Sequence, residues 1–283
     1  MGGLVGMPLY GYTISRPPII LTPIHIISPY DMHFHLIPGN PGAAEFYSEF
    51  QLILSHEHNI PFNHIHIAHH PGHSVTTIHE MALGLEALIE YHVEQMVGMY
   101  GGEEQIHLMG HSIGAYIALR VANALHRTHP QIFKRLKLHL ICPAILRMKD
   151  TPEGRRWDLW RYTLVEAMSH TMHWIPLAIA YTAVPHHAMG SIWHKQVVDN
   201  TLMLWADERK MVQKMPVVAN EVWPRTRVIC SPTDDWTPDF VRAEIRDQME
   251  TMGGEYADMV VEHAFVMCRK DVLVVARWVG GGV

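Results

Sequence analysis

A mainly parallel sheet covered by helices on both faces is the α/β fold class this sequence predicts, and three observations predict it. Short apolar runs rich in Ile, Leu and Val alternate along the chain with stretches of helical spacing. Turns rich in glycine and proline, above all Pro38-Gly39-Asn40-Pro41-Gly42, stand between the two kinds of segment. One apolar run also empties into Gly110-His111-Ser112-Ile113-Gly114 and continues as a helical pattern. That is the strand–turn–helix context in which a G-x-S-x-G pentapeptide exposes a serine hydroxyl.

The elements follow in chain order. The first thirty residues mix apolar stretches with prolines and read as short antiparallel or edge strands. Met32 to Ile37 is a strand that ends in the Gly/Pro turn, and Ala43 to Leu54 has helical spacing. Asn63 to Ala68 is a second strand. Leu83 to Met99 is a long amphipathic helix with Leu85, Leu88, Ile89, His92, Val93 and Met96 near one face. Gln105 to Met109 leads into the serine turn. The helix after it runs from Ile113 to about Leu125, with Ile113, Ile117, Val121 and Leu125 recurring every four residues. Leu136 to Cys142, Arg227 to Cys230 and Tyr256 to Val261 are further strands, and a terminal helix follows His263. Near-continuous apolar strands separated by helices indicate parallel pairing, with both sheet faces buried.

Residues 150–221 break this rhythm. They are helical in pattern and rich in Trp, Met and His, as expected of a helical cap inserted over an active site. The core is then residues 1–149 and 222–283. Trp157, Trp160, Trp174, Trp193 and Trp205 of the cap have two readings: packing against the body, or an apolar acyl channel or interfacial surface.

Composition narrows the function classes. A length of 283 residues with 48% hydrophobic residues suits one substantial domain with an insertion. Acidic residues outnumber basic ones by 28 to 22, and without a dense Lys/Arg tract nucleic acid is not an expected partner. Met1 to Tyr10 lacks the cationic region and apolar core of a secretory leader, and Gly6 stands where an N-acylation signal requires Ser or Thr. No apolar run reaches the roughly 18 residues of a spanning helix. The nearest, Trp174 to Val184, ends at Pro185; it is long enough to cover a core or dip into a lipid surface. Cys142, Cys230 and Cys268 are odd in number and far apart, and the first two, in apolar runs, read as buried thiols of a reducing compartment. Histidine is abundant, with 23 residues, of which His56, His58, His64, His66, His69, His70 and His73 cluster. The cluster could suggest metal, but it contains no H-E-x-x-H, and solvated or core histidines are the preferred reading.

The chemistry rests on Ser112. A serine hydroxyl is a weak nucleophile until a base takes its proton. His263, just after the last strand, supplies that base, and the acid that orients it should end an intervening strand. Ser231-Pro232-Thr233-Asp234-Asp235-Trp236 offers two carboxylates, of which one can face the imidazole. Asp234 is the preferred acid and Asp235 the alternative, expected in a loop or capping role. The order Ser112, Asp234, His263 is that of the α/β-hydrolase arrangement. Acyl transfer also needs two donors for the developing oxyanion, assigned to the backbone N–H groups of Ile113 and Asn40. No metal or organic cofactor is required.

These residues and their surroundings resemble the lipid droplet-associated hydrolases. The likeness runs through Ile37-Pro38-Gly39-Asn40-Pro41-Gly42 with Phe46-Tyr47 behind it, His70-Pro71-Gly72-His73, and Leu108-Met109-Gly110-His111-Ser112-Ile113-Gly114-Ala115-Tyr116. It continues in Pro143, Met148 and Pro152-Glu153-Gly154-Arg155, and closes with Asp234, Trp236, Pro238 and His263-Ala264-Phe265. The resemblance implies an α/β-hydrolase fold, a Ser-Asp-His triad and an acid placed four residues before a proline, as Asp234 is before Pro238. Ser231 replaces the family's glycine, and Asp235 stands where animal members have proline. The resemblance further implies hydrolysis of stored sterol esters or glycerides at lipid droplets. Animal members are associated with the droplet through an apolar segment of the insertion; Trp174 to Val184, interrupted by Pro176, is not equated with it.

The expected function is therefore a serine ester hydrolase of lipid esters, with no transmembrane helix. It is expected in the cytoplasm, at lipid droplets or at the endoplasmic reticulum surface, with the cap as the possible contact to lipid. Two alternatives stand beside it: a serine hydrolase of small soluble esters or thioesters, and a structural protein of the droplet surface with vestigial catalysis.

Overall fold

A computed structural model of the chain describes residues 32–102, 104–156 and 194–281. The edge strands expected before residue 31, the Trp174 to Val184 segment, and Trp157, Trp160 and Trp193 lie outside the described residues.

Among the described residues six strands form one sheet, in the order β2-β1-β3-β4-β5-β6. They are β1 (Met32–Ile37), β2 (Ile65–Ile67), β3 (Gln105–His111), β4 (Leu136–Ile141), β5 (Thr226–Cys230) and β6 (Glu255–Asp258). Every neighbouring pair is parallel. Parallel neighbours cannot be joined by a tight hairpin, so the chain must cross a face of the sheet between them. The helices that lie wholly within the described residues are α1 (Ser48–His58), α2 (Leu85–Met99), α3 (Ile113–Thr128), the short α4 (Pro130–Phe133), α5 (Lys195–Met211), α6 (Asp239–Met252) and α7 (Arg269–Gly280).

Alternation along the strands builds two cores. Ile106, Leu108, Leu138, Leu140 and Val228 face one side, where they meet Leu88, Ile117, Val121 and Ile245 of α2, α3 and α6. Phe34, Leu36, Met109, Ile141 and Ile229 face the other, against Phe50 and Leu54 of α1 and Val272, Val275 and Val279 of α7. Of the apolar face expected on α2, Leu85, Leu88, Ile89, His92 and Met96 are buried. Cys142 and Cys230 are buried free thiols, as the apolar runs implied.

Two strands are shorter than the sequence pattern by more than one residue. β2 begins at Ile65 because Phe62–His64 forms a 3₁₀ turn; His64 therefore leaves the strand, and its ring stacks on His33 at 4.3 Å. β6 ends at Asp258, opposite Cys230, where β5 itself ends. An edge strand lasts only as long as its partner: Met259 N–H makes a final bond to Cys230 O at 2.9 Å, and the chain then turns toward His263. No helix among the described residues is long and apolar enough to cross a membrane.

The strand order positions the site. From β1 the chain passes outward to β2, then returns across β1 to β3 on its other side. The loops leaving β1 and β3 thus part at a topological switch point, where α/β sheets open a crevice at the carboxyl ends of their strands.

Candidate active site

β3 delivers Ser112 directly into α3, with no intervening loop. Such a turn forces Ser112 to φ 55° and ψ −123°, a conformation natural to glycine and strained for a residue with a Cβ. The helix can fold back this tightly because its neighbours are small. A Cβ on Gly114 would lie 2.2 Å from Ile37 O at the end of β1, and one on Gly110 would lie 2.3 Å from Gly114 O. The Gly/Pro loop after β1 passes beside the serine: a Cβ on Gly39 would fall 2.9 Å from Ser112 Cβ.

The loops after β5 and β6 bring the other two residues into line. His263 Nε2 is 2.9 Å from Ser112 Oγ, and His263 Nδ1 is 2.7 Å from Asp234 Oδ2. Asp234 is held in turn by the Trp236 N–H at 2.8 Å and the Thr237 hydroxyl at 3.0 Å. Burial pushes the Asp234 carboxyl up, but the His263 imidazole and these donors outweigh it and hold it below the ordinary aspartate value. Asp235 faces elsewhere: it is exposed and pairs with Arg156 at 3.3 Å, while its carbonyl accepts from Glu153 N–H. Of the two carboxylates weighed from sequence, Asp234 meets the imidazole.

A second hydrogen-bonded chain runs beneath the serine. His111 Nε2 lies 2.7 Å from His263 O, His111 Nδ1 lies 2.6 Å from Tyr47 Oη, and Gly39 N–H donates to Tyr47 Oη at 2.9 Å. A carbonyl can only accept, so Nε2 carries the proton. Burial, with His263 beside it, drives the His111 pKa down to about 3, so the ring is neutral and Nδ1 must accept. Tyr47, whose phenol burial pushes up, therefore donates to His111 while accepting from Gly39. One buried pair thus joins the β1 loop, the serine turn and the histidine loop. Tyr47→Phe would orphan Gly39 N–H and His111 Nδ1, each at about 1–3 kcal/mol. The expected result is a clearly lowered melting temperature in a thermal scan at pH 7.5, together with a reduced kcat.

From the opposite side, α5 reaches the same loop. Asn40 Nδ2 donates to Thr201 O at 3.1 Å and to Glu208 Oε1 at 3.0 Å. Glu208 is buried, and burial, with Asp207 adding to it, raises its pKa to about 8 against the Asn40 hydrogen bond. Other α5 residues hold Gly72 and Ile78 of the loop after β2, through Asn200 and Gln196.

A family model for lipid-droplet associated hydrolases matches residues 31–266. The chain belongs to this family. Proteins named lipid droplet-associated hydrolase resemble it along most of their length. The one from Dictyostelium discoideum is 23% identical, covering 89% of this chain and 88% of that protein. The one from Mus musculus is 23% identical, covering 86% and 83%. Among solved structures, the RedJ thioesterase of the prodiginine biosynthetic pathway in Streptomyces coelicolor superposes with a TM-score of 0.56 at 16% identity, covering 90% of this chain and 92% of that one. The Vlm2 thioesterase domain gives 0.56 at 17% identity over 88% and 97%. At such identities these neighbours establish the α/β-hydrolase fold alone.

In this lipid-droplet associated hydrolase the fold brings together Ser112, Asp234 and His263, the three residues named from the sequence pattern, and places Asn40 on the β1 loop and Ile113 at the start of α3. The sequence pattern gave Tyr47, His111 and Glu208 no role of their own. For Glu208 a signal existed: Val197, Thr201, Leu204, Trp205 and Glu208 follow one face of α5, and a carboxylate on an apolar stripe implies a partner. The clustered histidines divide between core and surface, with His70 and His73 buried and His70 Nδ1 3.3 Å from His92 Nε2. Among the described residues no group of three or more His, Cys, Asp or Glu is arranged to hold a metal ion.

Proposed function

We propose that this chain is a serine ester hydrolase that cleaves lipid esters, sterol esters or acylglycerols, through an acyl-enzyme. The carrying observation is the continuous path from Ser112 Oγ through His263 to Asp234, at 2.9 and 2.7 Å. His263 Nε2 takes the hydroxyl proton as Oγ attacks the ester carbonyl. Asp234, bonded to Nδ1, holds the tautomer that leaves Nε2 free to do so and stabilises the imidazolium that forms. His263 then returns the proton to the departing alcohol, and a water deprotonated by the same nitrogen releases the acid.

The tetrahedral oxyanion is assigned to the N–H groups of Ile113 and Asn40. Ile113 is the first residue of α3, where backbone N–H groups lack helical acceptors and the helix dipole favours negative charge. In Pro38-Gly39-Asn40-Pro41-Gly42 the prolines have no N–H, Gly39 donates to Tyr47, and Gly42 donates to Gly39 O at 2.7 Å. Asn40 is the remaining N–H of the loop, beside the serine.

Residues 150–221 serve in this reading as the cap, with α5 holding the loops of the site and a lipid surface as the cap's contact. The family's lipid-droplet name supports a site of action at the droplet.

The test is hydrolysis of an ester series by the purified chain, from acetate to long-chain acyl and sterol esters, below and above the micellar threshold, with Ser112→Ala alongside. Turnover that is lost in the variant and rises on long, aggregated substrates is the expected result. Serine-dependent turnover confined to short soluble esters or thioesters would replace the lipid reading, and no serine-dependent turnover would favour a structural role at the droplet.

A further inference from the structure

The Asn40 side chain makes both its known bonds to α5, yet its Oδ1 is buried without a hydrogen-bond partner. A buried amide carbonyl left without a donor is destabilising. Across from it, Glu208 is 2% exposed, and the charged neighbour acting on it is Asp207, of like sign. Burial and that neighbour both oppose ionisation, and the neutral acid persists until pH about 8. A neutral carboxyl group has one O–H donor that a carboxylate lacks. Asn40 Nδ2 donates to Oε1 at 3.0 Å, and a planar acid paired edge to edge with a planar amide through that bond would bring its second oxygen to Oδ1. The orphaned acceptor and the spare donor match.

We propose that Glu208, as the neutral acid, closes a two-bond acid–amide pair with Asn40 and so acts as a positioning residue for the oxyanion loop. The inference rests on the serine hydrolase reading, because it is the Asn40 backbone N–H that must be held against the developing oxyanion. Thr201 O shares the Asn40 amide, so α5 clamps the loop at two points while Tyr47 holds Gly39 from the other side. A loop held on both sides can keep its N–H aimed without reorganising when charge develops. It also ties the geometry of the hole to the seating of α5.

The test compares Glu208→Ala, Glu208→Gln, Asn40→Ala, the Asn40→Ala/Glu208→Ala double variant and Ser112→Ala in the full chain. It measures kcat and KM for p-nitrophenyl butyrate at pH 7, well below each melting temperature. Misaiming one oxyanion donor is expected to lower kcat by roughly 10–100-fold in Glu208→Ala and in Asn40→Ala, with little change in KM. Glutamine offers an N–H to Oδ1 and a carbonyl to Nδ2, so Glu208→Gln should keep kcat within about threefold of the parent. The double variant should be no worse than the poorer single, as for two members of one interaction.

Wild-type kcat in Glu208→Ala, a Glu208→Gln as impaired as the alanine variant, or losses that multiply in the double variant would each overturn the inference. If Glu208→Ala does not fold, Asn40→Ala and Glu208→Gln decide, and an Asn40→Ala with the parent's kcat sinks it. A Ser112→Ala that still turns over removes the serine reading itself. A dead Ser112→Ala beside an unimpaired Glu208→Ala removes the Glu208 role alone.

Discussion

Ser112→Ala is expected to lower kcat on an activated ester by about 10³–10⁶-fold, read as initial rates of p-nitrophenol release from enzyme at matched folded concentration. The size follows from what the oxygen does. In the proposed mechanism it is the atom that bonds to the acyl carbon, and with it gone His263 has no hydroxyl proton to take. What survives is whatever the backbone donors at Ile113 and Asn40 do for a water attacking in place of Oγ. The same position carries a second, independent signature. Ser112 sits at φ 55° and ψ −123°, which costs a residue with a Cβ about 1–3 kcal/mol. Alanine keeps the Cβ and therefore the strain, so its melting temperature should stay close to the parent's. Ser112→Gly removes the strain but gives the unfolded chain more freedom, about 0.4–1 kcal/mol in the other direction. The net expectation is an inactive protein that melts about 2 °C higher. A glycine variant that melts no higher than alanine would count against a strained serine, and an alanine variant with substantial turnover would remove Ser112 as the nucleophile.

That serine was legible in the sequence because the turn has local requirements: an apolar strand before it, a helix after it, and glycines where the two approach. Asp234 and His263 were legible for a related reason, since catalytic side chains in a parallel sheet stand at the carboxyl ends of strands, and strand ends can be read from where apolar runs stop. The choice of Asp234 over Asp235 was already weighted by its distance from Pro238, and the geometry shows the physical content: Trp236 and Thr237 wrap the carboxylate that faces the imidazole. The supporting residues are a different matter. Tyr47 and His111 are 64 positions apart, and Asn40 and Glu208 are 168 apart. No periodicity links residues so distant; the links exist only because β1 and β3 lie side by side and α5 crosses their ends. The strand limits failed for the same reason. Where β6 stops depends on where β5 stops, which its own residues do not encode.

The histidines that carry no catalytic role are expected to set the acid limit of the fold, with unfolding already between about pH 6 and pH 5. His35, His70, His73, His92, His107, His111 and His139 are all buried. Burial pushes all seven below the ordinary histidine value, to about 4 for His73, about 3 for His92, His107 and His111, and well below for His35, His70 and His139. Like-charge neighbours reinforce this: His107 and His139 stack at 5.1 Å across β3 and β4, and His70 lies against both His73 and His92. In the unfolded chain each would titrate near pH 6.5. Because the folded values are depressed, the stability tied to these rings is fully present above pH 6.5. It is lost as pH falls from there toward the folded values, since the unfolded state takes up protons that the folded state refuses. Titrating independently, each ring forfeits about 1.4 kcal/mol by pH 5.5, and the group together about 10 kcal/mol. A domain holds about 5–15 kcal/mol in all, so the fold has little left at that pH. Urea melts at pH 7.5, 6.5, 6.0 and 5.5 would measure the slope directly. Replacing His107 and His139 together by valine, a residue that suits buried neighbouring strands, should flatten that slope by about two protons' worth, roughly 2.7 kcal/mol per pH unit at its steepest. Stability that stayed level down to pH 4.5 would mean the rings accept protons in the folded state, and the buried, neutral histidine core described above would then be wrong.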